Sequence, residues 1–289
     1  MAVTGTARLG LAKVSARIGA RVSGVDITRP LDPETVAALR VALNEHKVLV
    51  FDAPGLDDVG QERFAGQFGE LTTAHPTDPA LVGKPNILAV DGARDRANHW
   101  HTDSSFILNP PQINALRSVV RPAYGGETLV ANTAAAYRDL PKSLLTLADT
   151  LWAEHSNEKG SKLRAVDFTR FRTVHPVVRL HPLTGERGLF LGRPARTLVG
   201  LSEGESRTVL DLFQSYVTRP ENVLHWHWSA DELMLIDLRI TQHYAVDNFD
   251  DQPRLLHRVT VAGDVPVGVD GTRSHAIEGD ASYHTKVAC

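Results

Sequence analysis

The sequence has little of several features that would mark particular classes of protein. Its one cysteine, Cys289, is the last residue, so neither an internal disulfide nor a Cys-x-x-Cys zinc or redox motif can form. No apolar run approaches the roughly 18 residues of a membrane span, and residues 1–10 lack the apolar core of a signal peptide. Lys and Arg number 31 against 34 Asp and Glu, which argues against a nucleic-acid binder. We therefore expect a cytoplasmic protein without membrane or nucleic-acid partners.

Nucleotide-binding motifs are also absent, since neither Gly-x-Gly-x-x-Gly nor a Walker sequence occurs. Short strand-like runs separated by turn signals dominate instead, at 47–51, 85–90, 113–120, 127–131, 222–228, 232–238 and 253–262, with a hairpin over 177–191. Helices are predicted to begin at Asp32, at 57 or 58, at 132, at 141 and at Ser202. The pattern favours a mainly β sandwich with inserted helices.

No linker divides the chain, and 289 residues are enough to bury a sizeable core. We expect one domain over residues 1–264. Residues 265–289 are polar and lack periodicity, so they are predicted to form a flexible C-terminal tail.

The first motif with possible chemistry is His101-x-Asp103, in a chain unusually rich in histidine, with 13 of them. If this segment is a strand, residues two apart point to the same side, so an imidazole and a carboxylate would converge. They would be two members of the two-histidine, one-carboxylate set that binds non-haem Fe(II) and leaves positions open. The pattern alone is weak, because a core or surface histidine beside an incidental aspartate would look the same.

A second set of candidates begins with His243, at the end of a predicted buried strand. Arg254 and Arg258 follow, and their spacing puts both guanidinium groups on one face of a strand. Buried arginines are costly unless each meets an anion. Two interpretations stay open at this point: a pair of core salt bridges, or two sites for carboxylate or sulfate groups.

Taken together, these motifs resemble the taurine dioxygenase (TauD/TfdA) family of Fe(II)- and 2-oxoglutarate-dependent dioxygenases, near its alkylsulfatase branch. The matching elements are His101-x-Asp103, the Gly125-Gly126-Glu127-Thr128 turn, and His243 followed by Arg254 and Arg258. The similarity extends from about Gly19 to Val265, nearly the whole chain. It implies a double-stranded β-helix, the jelly roll of cupin-like proteins, which agrees with the β-rich pattern.

The resemblance also implies roles for individual residues. His101, Asp103 and His243 match the family's iron ligands, and therefore its catalytic centre. Arg254 and Thr128 match the residues that hold the distal carboxylate of 2-oxoglutarate. The implied cofactors are Fe(II) and 2-oxoglutarate, with O2 as cosubstrate, and family members are commonly homodimers or homotetramers.

The substrate site implied by the resemblance contains Arg258 and His75 at the anionic head group, with Asn98 beside the first iron ligand. The amine end of the taurine site is not retained, because Asp78 and Ala195 stand where aromatic residues are usual. We therefore expect a small anionic substrate other than taurine, an alkyl sulfate or sulfonate, with release of sulfate or sulfite and an aldehyde. The alternatives are a carboxylate, such as a phenoxy acid, an amino acid or a natural-product intermediate, and a non-catalytic jelly-roll binding module.

Overall fold

The computed structural model describes residues 9–93, 97–158 and 169–279. The strands of this part are β1 Gly10–Lys13, β2 Ala20–Ser23, β3 Val48–Asp52, β4 Ile87–Asp91, β5 Ile113–Val120, β6 Thr128–Asn132, β7 Trp152–Ser156, β8 Arg172–Pro176, β9 Val178–Leu180, β10 Arg187–Leu189, β11 Ala195–Leu198, β12 Val223–Trp226, β13 Glu232–Asp237, β14 Thr241–Ala245, β15 Leu255–Val261 and β16 His275–Glu278. The helices are α1 Pro33–His46, α2 Asp58–Gly66, α3 Thr133–Arg138, α4 Lys142–Thr150 and α5 Glu203–Val217. The mainly β class with inserted helices is confirmed.

The largest sheet has seven strands in the order β1-β2-β3-β13-β5-β15-β4. All of its pairings are antiparallel except the parallel pair of β2 and β3. Helices α1 and α2 cover one face of this sheet, and the residues between them form an apolar core that includes Leu39, Phe64 and Leu235. Helix α1 begins where the sequence indicates, because the side chain of Asp32 accepts a hydrogen bond from Thr35 N at 2.9 Å and caps the first turn.

The other face of the large sheet packs on a three-stranded sheet with the order β12-β6-β14. A second apolar core fills the space between them, with Leu116 and Met234 contributed by the large sheet and Val130 and Trp226 by the small one. Strands β14 and β15, which follow one another along the chain, therefore lie in different sheets on either side of this space. Polar residues that face it are close to one another although their strands belong to separate sheets.

Helices α3, α4 and α5 pack with the β9–β10 hairpin and with the four-stranded sheet β11-β7-β8-β16 in a third core. Helix α5 has the predicted capping box: Ser202 Oγ accepts from Glu205 N, while Glu205 Oε2 accepts from Ser202 N at 2.9 Å. None of the helices in the described ranges is long and apolar enough to cross a membrane.

The predicted flexible tail is wrong for residues 265–279. Residues 275–278 form β16, which pairs antiparallel with β8, and Gly268 makes an isolated bridge to Arg179. The sequence does not show this strand because all four of its residues are exposed, so it has no alternation of apolar and polar side chains. Backbone pairing with β8 places it at the sheet edge, where Arg172 and Glu278 also form an ion pair at 3.9 Å. Residues 280–289 of the predicted tail lie outside the described residues.

Candidate active site

His101, Asp103 and His243 come together in the space between the two sheets. Their nearest nitrogen and oxygen atoms all lie within 4.8 Å of one another. His101 Nε2 is 3.7 Å and His243 Nε2 is 3.6 Å from the same carboxylate oxygen, Asp103 Oδ1. Two imidazoles and one carboxylate that converge on one point leave several positions of a six-coordinate metal free, which is the donor set that non-haem Fe(II) enzymes use.

The backbone that holds this cluster is not the strand expected from the sequence. His101 forms a single isolated bridge with His243, through His101 N to His243 O at 3.1 Å and His243 N to His101 O at 2.8 Å. The chain then turns at Asp103, and Thr102 Oγ1 donates to Thr241 O at 2.8 Å. His101, Asp103 and His243 are therefore brought together by one bridge and a turn. The hydrogen bond of Thr102, which lies between two of the candidate ligands, stabilises this arrangement.

The hydrogen bonds of His101 prepare it to bind a metal through Nε2. Its Nδ1 lies 2.8 Å from the carbonyl oxygen of His99. Because a carbonyl can only accept, Nδ1 carries the proton and the lone pair of a neutral His101 is on Nε2, the atom that faces Asp103. The three donor atoms thus fit a divalent metal ion in geometry, and His101 also fits it in tautomer.

The charge state of the cluster also suits a metal. Burial would raise the pKa of the Asp103 carboxyl, but the charge of Arg258, with smaller contributions from the neighbouring His243 and His101, outweighs burial and holds the pKa well below its usual range. Burial, together with repulsion from His101, lowers the pKa of His243. A carboxylate and neutral imidazoles are the forms in which these side chains bind metals.

Arg254 and Thr128 are the residues predicted to hold 2-oxoglutarate. They contact each other in the space between the two sheets. Arg254 Nε donates to Gly126 O at 2.9 Å and Nη2 to Thr128 Oγ1 at 3.4 Å. Arg254 is 4% exposed, and no described carboxylate forms an ion pair with it. Burial accordingly lowers the pKa of its guanidinium to about 10. The charge of Glu127 offsets only part of this effect, and a buried cation without a directly contacting anion is the feature expected of a site for an anionic ligand.

Trp228 is a member of this site that the sequence did not reveal. Its indole Nε1 donates to Thr128 Oγ1 at 2.9 Å. The sequence gives only an alternating His-Trp-His-Trp run at 225–228, which indicates packing of the tryptophans on one face of a strand. Both tryptophans are indeed buried, and the hydrogen bond depends on the partner strand β6, which no local pattern identifies.

Arg258 lies beside the metal-binding cluster. Its Nη1 donates to Asp103 Oδ1 at 2.6 Å, its Nη2 donates to Ala74 O at 3.2 Å, and its buried Nε has no partner among the described residues. The next residue along from Ala74 is His75, whose ring packs edge-on against Phe106 with 6.0 Å between ring centroids. Arg258 and the backbone next to His75 are therefore joined directly. The salt bridge of the first interpretation and an anion site are both compatible with this arrangement.

Asn98 is the predicted site residue that the structure does not bring into the cluster. Its side chain is exposed and makes no hydrogen bond within the described part of the chain. The neighbouring His99 stacks on His101, with 4.8 Å between ring centroids, and accepts a hydrogen bond from Arg193 Nη1 at 3.0 Å. Burial, with repulsion from His101 and Arg193, lowers the pKa of His99 to about 3 and keeps this ring neutral.

Comparison with known proteins identifies the class that this fold and site define. The model of the taurine catabolism dioxygenase TauD, TfdA family matches residues 9–260. The chain belongs to this family, and the predicted enzyme class, a 2-oxoglutarate-dependent dioxygenase, is confirmed. The predicted jelly-roll fold is confirmed as well: a crystal structure of a taurine dioxygenase from Burkholderia xenovorans matches 95% of this chain and 97% of that one, with a TM-score of 0.85 and 39% identity.

Two curated relatives are similar over nearly their whole length. An alpha-ketoglutarate-dependent sulfate ester dioxygenase from Pseudomonas putida is 47% identical over 277 residues, 90% of this chain and 92% of the relative. An alkylsulfatase from Acinetobacter baylyi is 41% identical over 284 residues, 93% of this chain and 89% of the relative. The predicted resemblance to the alkylsulfatase branch of the family is therefore confirmed.

Proposed function

We propose that the protein uses Fe(II), 2-oxoglutarate and O2 to oxidise an alkyl sulfate or an alkyl sulfonate. The observation that carries the proposal is a pair of buried arginines, Arg254 just before β15 and Arg258 within it. Both face the inter-sheet space that contains the His101–Asp103–His243 cluster. Four residues of extended chain separate them by about 13 Å, which leaves room for two anionic ligands. The names of the two curated relatives support sulfate esters as the substrate.

Arg254 and Thr128 would hold the distal carboxylate of 2-oxoglutarate. Thr128 Oγ1 already accepts hydrogen bonds from Trp228 and Arg254, so its own proton points away from both and is free to donate to that carboxylate. The guanidinium would gain a directly contacting anion, which none of the described residues supplies, and the two donors together would set the orientation of the bound cosubstrate.

Arg258 and His75 would hold the sulfate or sulfonate group of the substrate, which places the adjacent carbon near the cluster. An iron ion held by His101, Asp103 and His243 would supply the oxidative chemistry, in which 2-oxoglutarate and O2 yield succinate, CO2 and a hydroxylated carbon. A carbon that carries both a hydroxyl and a sulfate group breaks down to an aldehyde and sulfate, while a sulfonate gives an aldehyde and sulfite.

The test is succinate formation by the purified protein with Fe(II), ascorbate, O2 and 2-oxoglutarate, and with alkyl sulfates, alkyl sulfonates, taurine or phenoxy acids as substrates. We expect alkyl sulfates to stimulate succinate formation the most, with one sulfate released for each succinate formed. His101→Ala should abolish both products. A stable hydroxylated acid from a phenoxy substrate, without sulfate-dependent turnover, would support the carboxylate alternative instead. Absence of succinate with every substrate would refute the proposal.

Two arginine variants separate the proposed binding sites. Arg258→Met should raise the KM for the sulfate ester and leave the affinity for 2-oxoglutarate within about threefold of the wild type. A matched control is Arg117→Met, since Arg117 lies on neighbouring strand β5 but forms an ion pair with Asp58 on the helix-covered side of the sheet. If Arg117→Met raises this KM as much as Arg258→Met, the assignment of Arg258 to the head group is wrong.

A further inference from the structure

Asn114 is a polar side chain in the centre of the large sheet. It lies on β5, paired with Ile236 of β13 on one side and with Thr260 of β15 on the other. Its side chain is on the same face of β5 as Leu116, which belongs to the apolar core between the sheets, and it is 1% exposed. A carboxamide in such a position is costly unless it makes a hydrogen bond, so its partner explains why it is tolerated.

That partner is the candidate metal ligand Asp103. Asn114 Nδ2 donates to Asp103 Oδ2 at 2.9 Å, across 11 residues of sequence. The other carboxylate oxygen, Oδ1, is the one that faces His101 Nε2 and His243 Nε2 at 3.7 and 3.6 Å. The two oxygens of Asp103 therefore have different partners: Oδ2 accepts from Asn114 of β5, whereas Oδ1 accepts from Arg258 Nη1 at 2.6 Å and faces the two histidines.

The hydrogen bond to Asp103 is also the only one that the Asn114 side chain makes in the described ranges. Its Oδ1 is buried and has no partner. An amide that served mainly to join strands would use both of its polar atoms, whereas this one donates to the carboxylate alone. The carboxylate, in turn, cannot rotate without leaving the buried Asn114 amide with no hydrogen bond at all among the described residues.

We propose that Asn114 is a positioning residue that holds Asp103 as a one-oxygen metal ligand through Oδ1. The proposal rests on the proposed function, because it requires that the His101–Asp103–His243 cluster binds a metal. It places a determinant of metal affinity on β5, outside the strands and turns that carry the ligands. Residues that hydrogen-bond to metal-binding side chains typically change metal affinity by about 10- to 100-fold when they are removed.

The test is a metal titration of the full-length protein in the absence of cosubstrate and substrate, with Mn2+ followed by calorimetry and Co2+ followed by its visible spectrum. We expect Asn114→Leu, which keeps the size and removes the donor, to weaken Mn2+ binding by about 10- to 100-fold. The Co2+ spectrum should also change, because the released carboxylate can bind through both oxygens. Asn114→Ala should show the same loss, and it provides a second test if leucine prevents folding.

Thr260→Val is the matched control. Thr260 is the residue paired with Asn114 on β15, it is 1% exposed, and its hydroxyl hydrogen-bonds Thr72 at 2.5 Å rather than Asp103. This variant should keep the metal affinity and the Co2+ spectrum of the wild type. Equal loss in Thr260→Val, or affinities of both folded Asn114 variants within twofold of the wild type, would overturn the inference. A wild-type protein that binds neither metal would overturn the proposed function itself.

Discussion

Replacement of Arg254 by methionine is expected to stabilise the ligand-free protein and to weaken cosubstrate binding at the same time. Methionine has a similar length and is apolar, so it can fill the space of the arginine side chain without its charge. The two effects have one cause, which is that the guanidinium is buried and forms no ion pair among the described residues.

The size of the stability effect follows from the pKa of the guanidinium. Burial lowers it from 12.5 to about 10, and each unit corresponds to about 1.4 kcal/mol, so the buried charge costs the fold about 3 kcal/mol. At pH 7 the group is charged in the folded and in the unfolded chain, so the full cost applies. Methionine also removes the hydrogen bond from Arg254 Nε to Gly126 O, which leaves this carbonyl unpaired and offsets about 1 to 2 kcal/mol. The net expectation is a gain of about 1 to 2 kcal/mol.

Thermal unfolding of the protein without metal or cosubstrate measures this gain. A rise in Tm of roughly 2 to 4 °C is expected for a chain of this size. With Mn2+ in place of Fe2+, so that no turnover occurs, calorimetry should show a dissociation constant for 2-oxoglutarate at least about 100-fold higher in Arg254→Met, since two charge-assisted hydrogen bonds are lost. Addition of 2-oxoglutarate with Mn2+ should therefore raise the Tm of the wild type much more than that of the variant.

The reasoning would be refuted by a variant with a Tm several degrees below that of the wild type. Such a result would mean that Arg254 stabilises the fold through its contacts with Gly126 and Thr128 more than its burial costs. A variant that unfolds at a higher temperature and still binds 2-oxoglutarate normally would keep the burial argument and remove Arg254 from the cosubstrate site. Only a higher Tm together with weaker binding supports both parts.

Two further predictions concern residues outside the metal ligands. Trp228→Phe removes the donor that orients Thr128 and should raise the KM for 2-oxoglutarate by about 2- to 10-fold at nearly unchanged kcat, whereas Trp226→Phe, whose indole donates to Glu232, should leave this KM unchanged. Burial lowers the pKa of His155 to about 3. The unfolded chain therefore binds a proton at this residue below about pH 6.5, while the folded chain does not until the pH nears 3. The free energy of unfolding accordingly decreases as the pH falls from about 6.5 to about 3. When the pH is lowered from 7.5 to 5.0, the free energy of unfolding measured in urea should decrease by about 2 kcal/mol less in His155→Phe than in the wild type. Equal decreases in the two proteins would contradict this.

The fold could be predicted to a large extent because its signals are local. The Asp32 cap, the capping box of Ser202 and Glu205, and the apolar run before Asp52 identify elements that the structure places within about two residues of the expected bounds. Strand β16 was missed because it is an exposed edge with no apolar periodicity. Its position depends on backbone hydrogen bonds to β8, and backbone groups are the same in every sequence.

The residues of the candidate site fall into two groups: those that sequence motifs identify, and those that only their hydrogen-bond partners in the structure reveal. The residues in compact motifs, such as His101-x-Asp103, could be found because several such motifs together resemble the family, although the single pattern is weak. Asn114 and Trp228 make single hydrogen bonds to Asp103 and Thr128, and the partners lie far apart in sequence and meet only in the folded chain. The one sequence signal is Asn114, an amide within the otherwise apolar start of β5. Such a buried amide indicates that a hydrogen-bond partner exists, but it does not identify the partner. In this protein the partner is the candidate metal ligand Asp103, so the effect of the buried amide on metal affinity can be tested.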